Sequence, residues 1–308
     1  MALYRIVHTS TFRHNTPVMA AWQVLHLHPR AERNQECLDY DLDVSPKPSD
    51  LDARQDFFGN TLHVFSLREP HRELVITSTS LVRRQEPSIP MAGLTPSVSK
   101  SLELINSSVE GGEFELEQFR YSSPLIPLIS DVTELTDGLD DDDPPILTWI
   151  MRLGIRFQDQ FVFDSTATTI STPLKQVLAN RRGVCQDFAH LFIACARHYG
   201  LPAAYVSGYI LTEPPPGQPR LLGADASHAW VSIYIPGTGW IDYDPTNHMF
   251  VGGSHIIVAR GRDYSDVPPT RGIFSGGGKH VLVVGVTMEP SEHPAVGSLA
   301  TAPVPIGP

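Results

Sequence analysis

Residues 38–44 alternate strictly, with Leu38, Tyr40, Leu42 and Val44 set against Asp39, Asp41 and Asp43. That is the period of a half-buried β-strand. Apolar-rich runs at 4–12, 19–28, 62–67 and 73–82 surround it, and Gly59-Asn60, between Phe58 and Thr61, is a turn signal. Short strands separated by turns predict an antiparallel β-sandwich over residues 1–85. No chemistry-bearing constellation stands out in that part.

The pattern breaks at Pro87, Pro90 and Pro96, and again at Pro124 and Pro127, so 86–143 reads as a linker and helical connection. The acidic run 137–145 lacks the alternating ligand spacing and distal Glu of a calcium loop. It reads instead as a solvated loop whose Asp143 caps a helix, with Pro144 in its first position. That helix is expected from 145 to about 157. A short helix opens at Thr172-Pro173 and ends near Gly183, and another runs from about 184 to 199. On the latter, Phe188, Leu191, Phe192, Cys195 and Tyr199 recur every three or four residues and form one apolar face, which Gly200 and Pro202 terminate. β-like runs follow at 203–211, 229–235, 240–243, 255–259 and 279–288, with loops at 214–217 and 276–278. The expected core domain is 144–288. The tail, 289–308, is rich in Pro, Ala and Gly and is expected to be unpacked. The fold class is therefore α+β: a β-rich N-terminal domain, then helices on an antiparallel sheet.

Composition narrows the function. The 308 residues suffice for two domains. Acidic residues outnumber basic ones 34 to 23, a net charge of −11 that repels phosphate backbones and argues against a nucleic-acid partner. No stretch approaches the ~20 apolar residues of a membrane span. The first residues show no basic region followed by an apolar run, so the expected location is cytoplasmic. The three cysteines, Cys37, Cys185 and Cys195, cannot all pair, and no CxxC occurs. Neither a disulfide framework nor a thiolate zinc site is suggested.

Cys185 follows Arg181-Arg182-Gly183 and opens a predicted helix. A thiol there meets the positive end of the helix dipole and unpaired N–H groups, which favour the nucleophilic thiolate and can cradle an oxyanion. Cys195 falls on the apolar face of the same helix, and Cys37 starts a strand; both read as structural. His228, at the entry to a strand in Ser227-His-Ala-Trp230, can aim its ring toward a helix N-terminus. His190 and His198 lie on the helix of Cys185 and cannot project back to its start. His248 and His255 have no clear orienting partner. Asp244 ends the strand 240–244, where its carboxylate can accept the Nδ1–H of His228. Asp242 is a rival, because two residues apart on a strand means the same face. The spacings of His228, His248 and Asp244 match no zinc signature.

Gly183-Val-Cys-Gln-Asp-Phe-Ala-His-Leu191, then Ser227-His-Ala-Trp230, then Trp240 with Asp244-Pro-Thr-Asn247, together resemble the transglutaminase-like superfamily of papain-like cysteine enzymes. The resemblance extends to 1–85, similar to the N-terminal domain of the bacterial members, and to 255–269. It implies a triad of Cys185 as nucleophile, His228 as base and acid, and Asp244 as orienter, since the family aspartate directly precedes Pro. Gln186 could assist an oxyanion but reads more simply as a first-turn residue, and Asp187 as a complement to the dipole. The implied activity is acyl transfer from an amide or peptide bond, with hydrolysis favoured. Alternatives are transfer to an amine, as in a transglutaminase, or non-catalytic peptide binding. No cofactor is expected. The family association further suggests ATP-grasp ligase-like proteins of peptide metabolism as partners.

Overall fold

The computed structural model describes residues 1–110, 114–211 and 227–292. The N-terminal strands are β1 (Ala2–Leu25), β2 (Gln35–Ser45), β3 (Asp50–Gln55), β4 (Thr61–Leu67) and β5 (His71–Arg84). The two runs expected at 4–12 and 19–28 are one long strand. β1 bends where its register with β5 shifts between Arg13 and Val18, beside Pro17. Its first half pairs with β5, and its second half pairs with β4. The curled sheet thereby doubles into two layers, with Phe12, Val18, Leu25, Val44, Phe65 and Leu74 packed together between them.

The helices are α1 (Val98–Glu110), α2 (Thr133–Thr136), α3 (Ile146–Gln160), α4 (Leu174–Asn180) and α5 (Cys185–His198). Between them lie two short strands, β6 (Val162–Phe163) and β7 (Arg182–Gly183), paired in parallel. β8 (Ala203–Ile210), β9 (Ser227–Ile235), β10 (Gly239–Asp244), β11 (Met249–Phe250) and β12 (His255–Gly261) follow. They form an antiparallel sheet in the order β11-β10-β9-β8-β12. The apolar face of α5 packs Phe188, Leu191, Phe192 and Cys195 into one core with Ala229, Val231 and Ile233 of β9. Trp149, Leu153 and Phe157 of α3 complete it. This is the α+β core of helices on a sheet that the periodicity predicts.

Two expectations are revised. Asp143 does not cap the helix that follows it: α3 begins behind Pro145, and the Asp143 carboxylate accepts the Ser99 N–H at 2.9 Å, capping α1 instead. The chain turns at Asp143 with a left-handed φ of 43°, which aims its carboxylate at α1. The last strands, β13 (Thr270–Gly276) and β14 (His280–Pro290), leave the core and pair with β1. Residues 270–288 thus extend the N-terminal sheet, and Glu289 and Pro290 belong to a strand rather than to the tail. Residues 293–308 and the loop at 214–217 lie outside the described residues. Among the described residues, no helix is long and apolar enough to cross a membrane.

The two parts are joined at an edge. β12 ends the core sheet, and its outer backbone groups would be unpaired. Gln35 donates to the Ile257 carbonyl at 2.7 Å and accepts the Ile257 N–H at 2.9 Å. Asn60 treats Arg260 in the same way, at 2.8 Å both ways. Two side-chain amides therefore stand in for a missing strand.

Candidate active site

Cys185 stands first in α5, behind a chain entry held from several sides. α4 closes at Arg181, whose left-handed φ of 55° reverses the chain. β6 then fixes the segment, with Val162 N–H donating to the Arg181 carbonyl and Asp164 N–H to the Gly183 carbonyl, both at 2.9 Å. Val184 is extended, and its N–H donates to the Asp187 carboxylate at 2.8 Å. The same carboxylate oxygen accepts the Thr168 hydroxyl at 2.6 Å. Asp187 thus caps the helix it belongs to, a more specific role than complementing the dipole. Gly183 leaves it room: a Cβ there would sit 2.7 Å from the Asp187 oxygen. The first intrahelical bond runs from Phe188 N–H to the Val184 carbonyl at 3.1 Å. The amides of Cys185, Gln186 and Asp187 precede it and have no partner within the helix.

His228 opens β9, opposite Gly208 of β8. Asp244 ends β10 and is fully buried. Its Oδ2 lies 2.6 Å from His228 Nε2. The ring nitrogen facing the carboxylate is therefore Nε2 rather than the expected Nδ1. With Nε2 engaged, Nδ1 is the nitrogen left for Cys185, whose side chain is among the groups acting on this ring. Burial alone would depress the imidazole. The hydrogen bonds and charges of Asp244 and Cys185 outweigh it and push His228 up to about 10. Burial would likewise raise Asp244, but hydrogen bonds from His228, His255 and Asn247 and the His228 charge hold it well below the usual carboxylate range.

Asp242 is on the same face, as expected, but engages elsewhere. Its Oδ2 accepts the Trp230 indole N–H at 3.3 Å, and its Oδ1 lies 3.6 Å from Arg260. Cys195 is fully buried, and burial pushes its thiol up. Half-buried Cys37 is pushed up to about 11 for the same reason. His190 accepts the Tyr264 N–H at 3.1 Å, away from the site.

Two further residues hold the Asp244 carboxylate, and the sequence signals only one of them. Asn247 donates its side-chain N–H to Oδ2 at 2.6 Å, while the Thr246 and Asn247 backbone N–H groups reach Oδ1 at 2.9 and 3.2 Å. The Asp-Pro-Thr-Asn turn signals this much. His255 has no such signal: it starts β12, at the other end of the sheet order, yet its Nε2 lies 3.3 Å from Oδ2. Among the described residues, His228, Asp244 and His255 are the one group whose donor atoms lie close enough to share a metal ion, within 4.8 Å of one another. The distances between them are those of hydrogen bonds.

The site thus sets Cys185 at a helix N-terminus, the His228 imidazole at the start of β9 and the buried Asp244 carboxylate behind that ring. Residues 4–83 match the bacterial transglutaminase-like N-terminal region, and residues 134–245 match the transglutaminase-like superfamily. The chain is 37% identical over 305 residues to the uncharacterized protein Rv2569c of Mycobacterium tuberculosis, covering 95% of this chain and 94% of that one. A shorter stretch of 67 residues is 37% identical to a protein-glutamine gamma-glutamyltransferase of Pseudomonas aeruginosa, covering 21% of this chain and 10% of that protein. The fold matches that of a candidate cysteine protease from Cytophaga hutchinsonii with a TM-score of 0.74 and 19% identity, covering 96% and 93% of the two chains. The chain belongs to the transglutaminase-like superfamily and carries the N-terminal region of its bacterial members.

Proposed function

We propose that this protein is a thiol-dependent acyl-transfer enzyme that hydrolyses an amide or peptide bond. The observation that carries the reading is the His228–Asp244 pair at 2.6 Å, with Cys185 at a helix N-terminus and acting on the same imidazole. His228 takes the Cys185 proton through Nδ1, and the sulfur attacks the substrate carbonyl carbon. The free amides at the start of α5 receive the developing oxyanion. The C–N bond breaks, His228 returns its proton to the leaving amine, and a thioester remains on Cys185. Water then gives its proton to His228 and adds to the thioester carbonyl. The C–S bond breaks and the acid is released. Asp244 keeps the Nε2 proton in place throughout.

An amine can take the place of water in the second half. The gamma-glutamyltransferase name of the Pseudomonas relative supports that second reading. Both readings share the acyl-enzyme, so the test begins there. The protein is treated with p-nitrophenyl acetate and weighed intact, with peptide mapping of the adduct. One acetyl group on Cys185, absent in Cys185→Ala, is the expected result. Acetylation confined to other residues, or none, would overturn the proposal. Decay of the adduct at the same rate with and without an added alkylamine supports hydrolysis; acceleration by the amine, with amide product, supports transfer.

A further inference from the structure

We infer that His255 is a positioning residue, whose Nε2–H donated to Asp244 Oδ2 holds that carboxylate against His228. The inference rests on the Cys185–His228–Asp244 reading and concerns a residue outside it. An ionised carboxylate only accepts hydrogen bonds, so every polar neighbour of Oδ2 must donate. Three groups converge there: His228 at 2.6 Å, Asn247 at 2.6 Å and His255 at 3.3 Å. Asn247 is exposed, so water can substitute for its amide. His255 is fully buried, and water has no access to take its place.

The surroundings of His255 suit a ring that carries a proton on Nε2, toward Asp244. The Ser254 hydroxyl lies 3.4 Å from Nδ1 and can donate to it. The Trp230 ring stands edge-on to the imidazole, with centroids 5.4 Å apart and planes at 84°. The titratable groups facing His255 are Asp244 of β10 and His228 of β9, whose ring centroid is 6.3 Å away. On β8 its register partner is Ile210, and in its own turn Glu86 accepts the Gly253 N–H at 2.8 Å. A buried donor with one preferred proton position and an aromatic wall behind it cannot swing away from Oδ2. That is the property a positioning group needs.

The test reads His228 directly. Histidine-labelled protein is titrated by NMR, and the His228 imidazolium signal is identified by its loss in His228→Asn. In His255→Phe the ring volume stays and the donor goes, so Asp244 is held less firmly. The His228 midpoint should fall by about one pH unit or more, because its proton is then less well held. His255→Gln, which keeps an N–H donor, should stay within about 0.3 units of the parent. Should His255→Phe fail to fold, His255→Asn, whose amide is too short to reach, should show the same fall. An unmoved His228 midpoint in a folded donor-less variant, or an equal fall in His255→Gln, would overturn the inference. This readout does not depend on turnover. Failure to acylate Cys185 in the parent would sink the enzymatic reading while leaving the His228 titration interpretable.

Discussion

Asp242 and Asp244 show what one residue decides and how far a sequence can reveal it. Strand alternation puts both on one face, and so they lie. They are separated only by the diagonal pairing with β9, which gives Trp230 to Asp242 and His228 to Asp244. The Asp-Pro motif points to Asp244, the one that contacts His228, but through resemblance rather than geometry. Asp244→Asn should stay folded and acylate from p-nitrophenyl acetate far more slowly, by up to about 10⁴-fold as in other triads. Asp242→Asn keeps an acceptor for Trp230 and should remain within about twofold of the parent, because it lies outside the hydrogen-bond chain. A larger loss in Asp242→Asn than in Asp244→Asn would redraw the site. The pair also sets a pH signature on stability. His228 is raised from 6.5 to about 10, so its contribution is complete below 6.5 and is lost as pH climbs through about 10. Asp244 is depressed, so its contribution is present above the ordinary carboxylate range and is lost as pH falls below it. Thermal melts should therefore show both contributions between about pH 4 and 6.5, and Asp244→Asn should flatten that dependence.

Elements with a strong period were legible, and those whose fate depends on a distant partner were not. The face of α5 and the runs that became β8, β9 and β10 stand out because one side of each meets a continuous core. α1 was not foreseen as a separate helix: its sequence is rich in Ser and Glu, and its cap, Asp143, comes from 44 residues away in the chain. The run that became β14 was legible as a strand but not as a partner of β1, since alternation gives a face and never a neighbour. Gly208 marks another element-scale constraint. A Cβ there would lie 2.2 Å from the Ile256 carbonyl oxygen and 2.4 Å from the Trp230 ring, the ring that packs against His255 and lies 6.0 Å from His228. Replacing a strand glycine by alanine ordinarily gains about 0.5–1 kcal/mol. Here the overpacking, about 1–3 kcal/mol, should win. Calorimetry of Gly208→Ala is expected to show a lowered Tm; an unchanged or raised Tm would mean that β8 and β12 separate without strain.

At the scale of the whole molecule, the two parts of the chain are bound together more closely than the boundary near residue 85 suggested. The chain returns to β1 through β13 and β14, and Gln35 and Asn60 complete the edge of β12, the strand that carries His255. The N-terminal sheet thus braces the strand behind the buried carboxylate, a link that no local pattern could reveal. All of this geometry converges on one sulfur. Its reactivity, measured as the rate of iodoacetamide alkylation at pH 6 and mapped to each cysteine, tests the account most directly. Cys185 should react about 100-fold faster than Cys37 or Cys195, because burial pushes those two thiols up and, of the three, Cys185 alone has His228 as its proposed base. In His228→Ala that advantage should vanish. Equal rates at Cys185 and Cys37 in the parent, or a Cys185 rate unchanged by His228→Ala, would contradict the account.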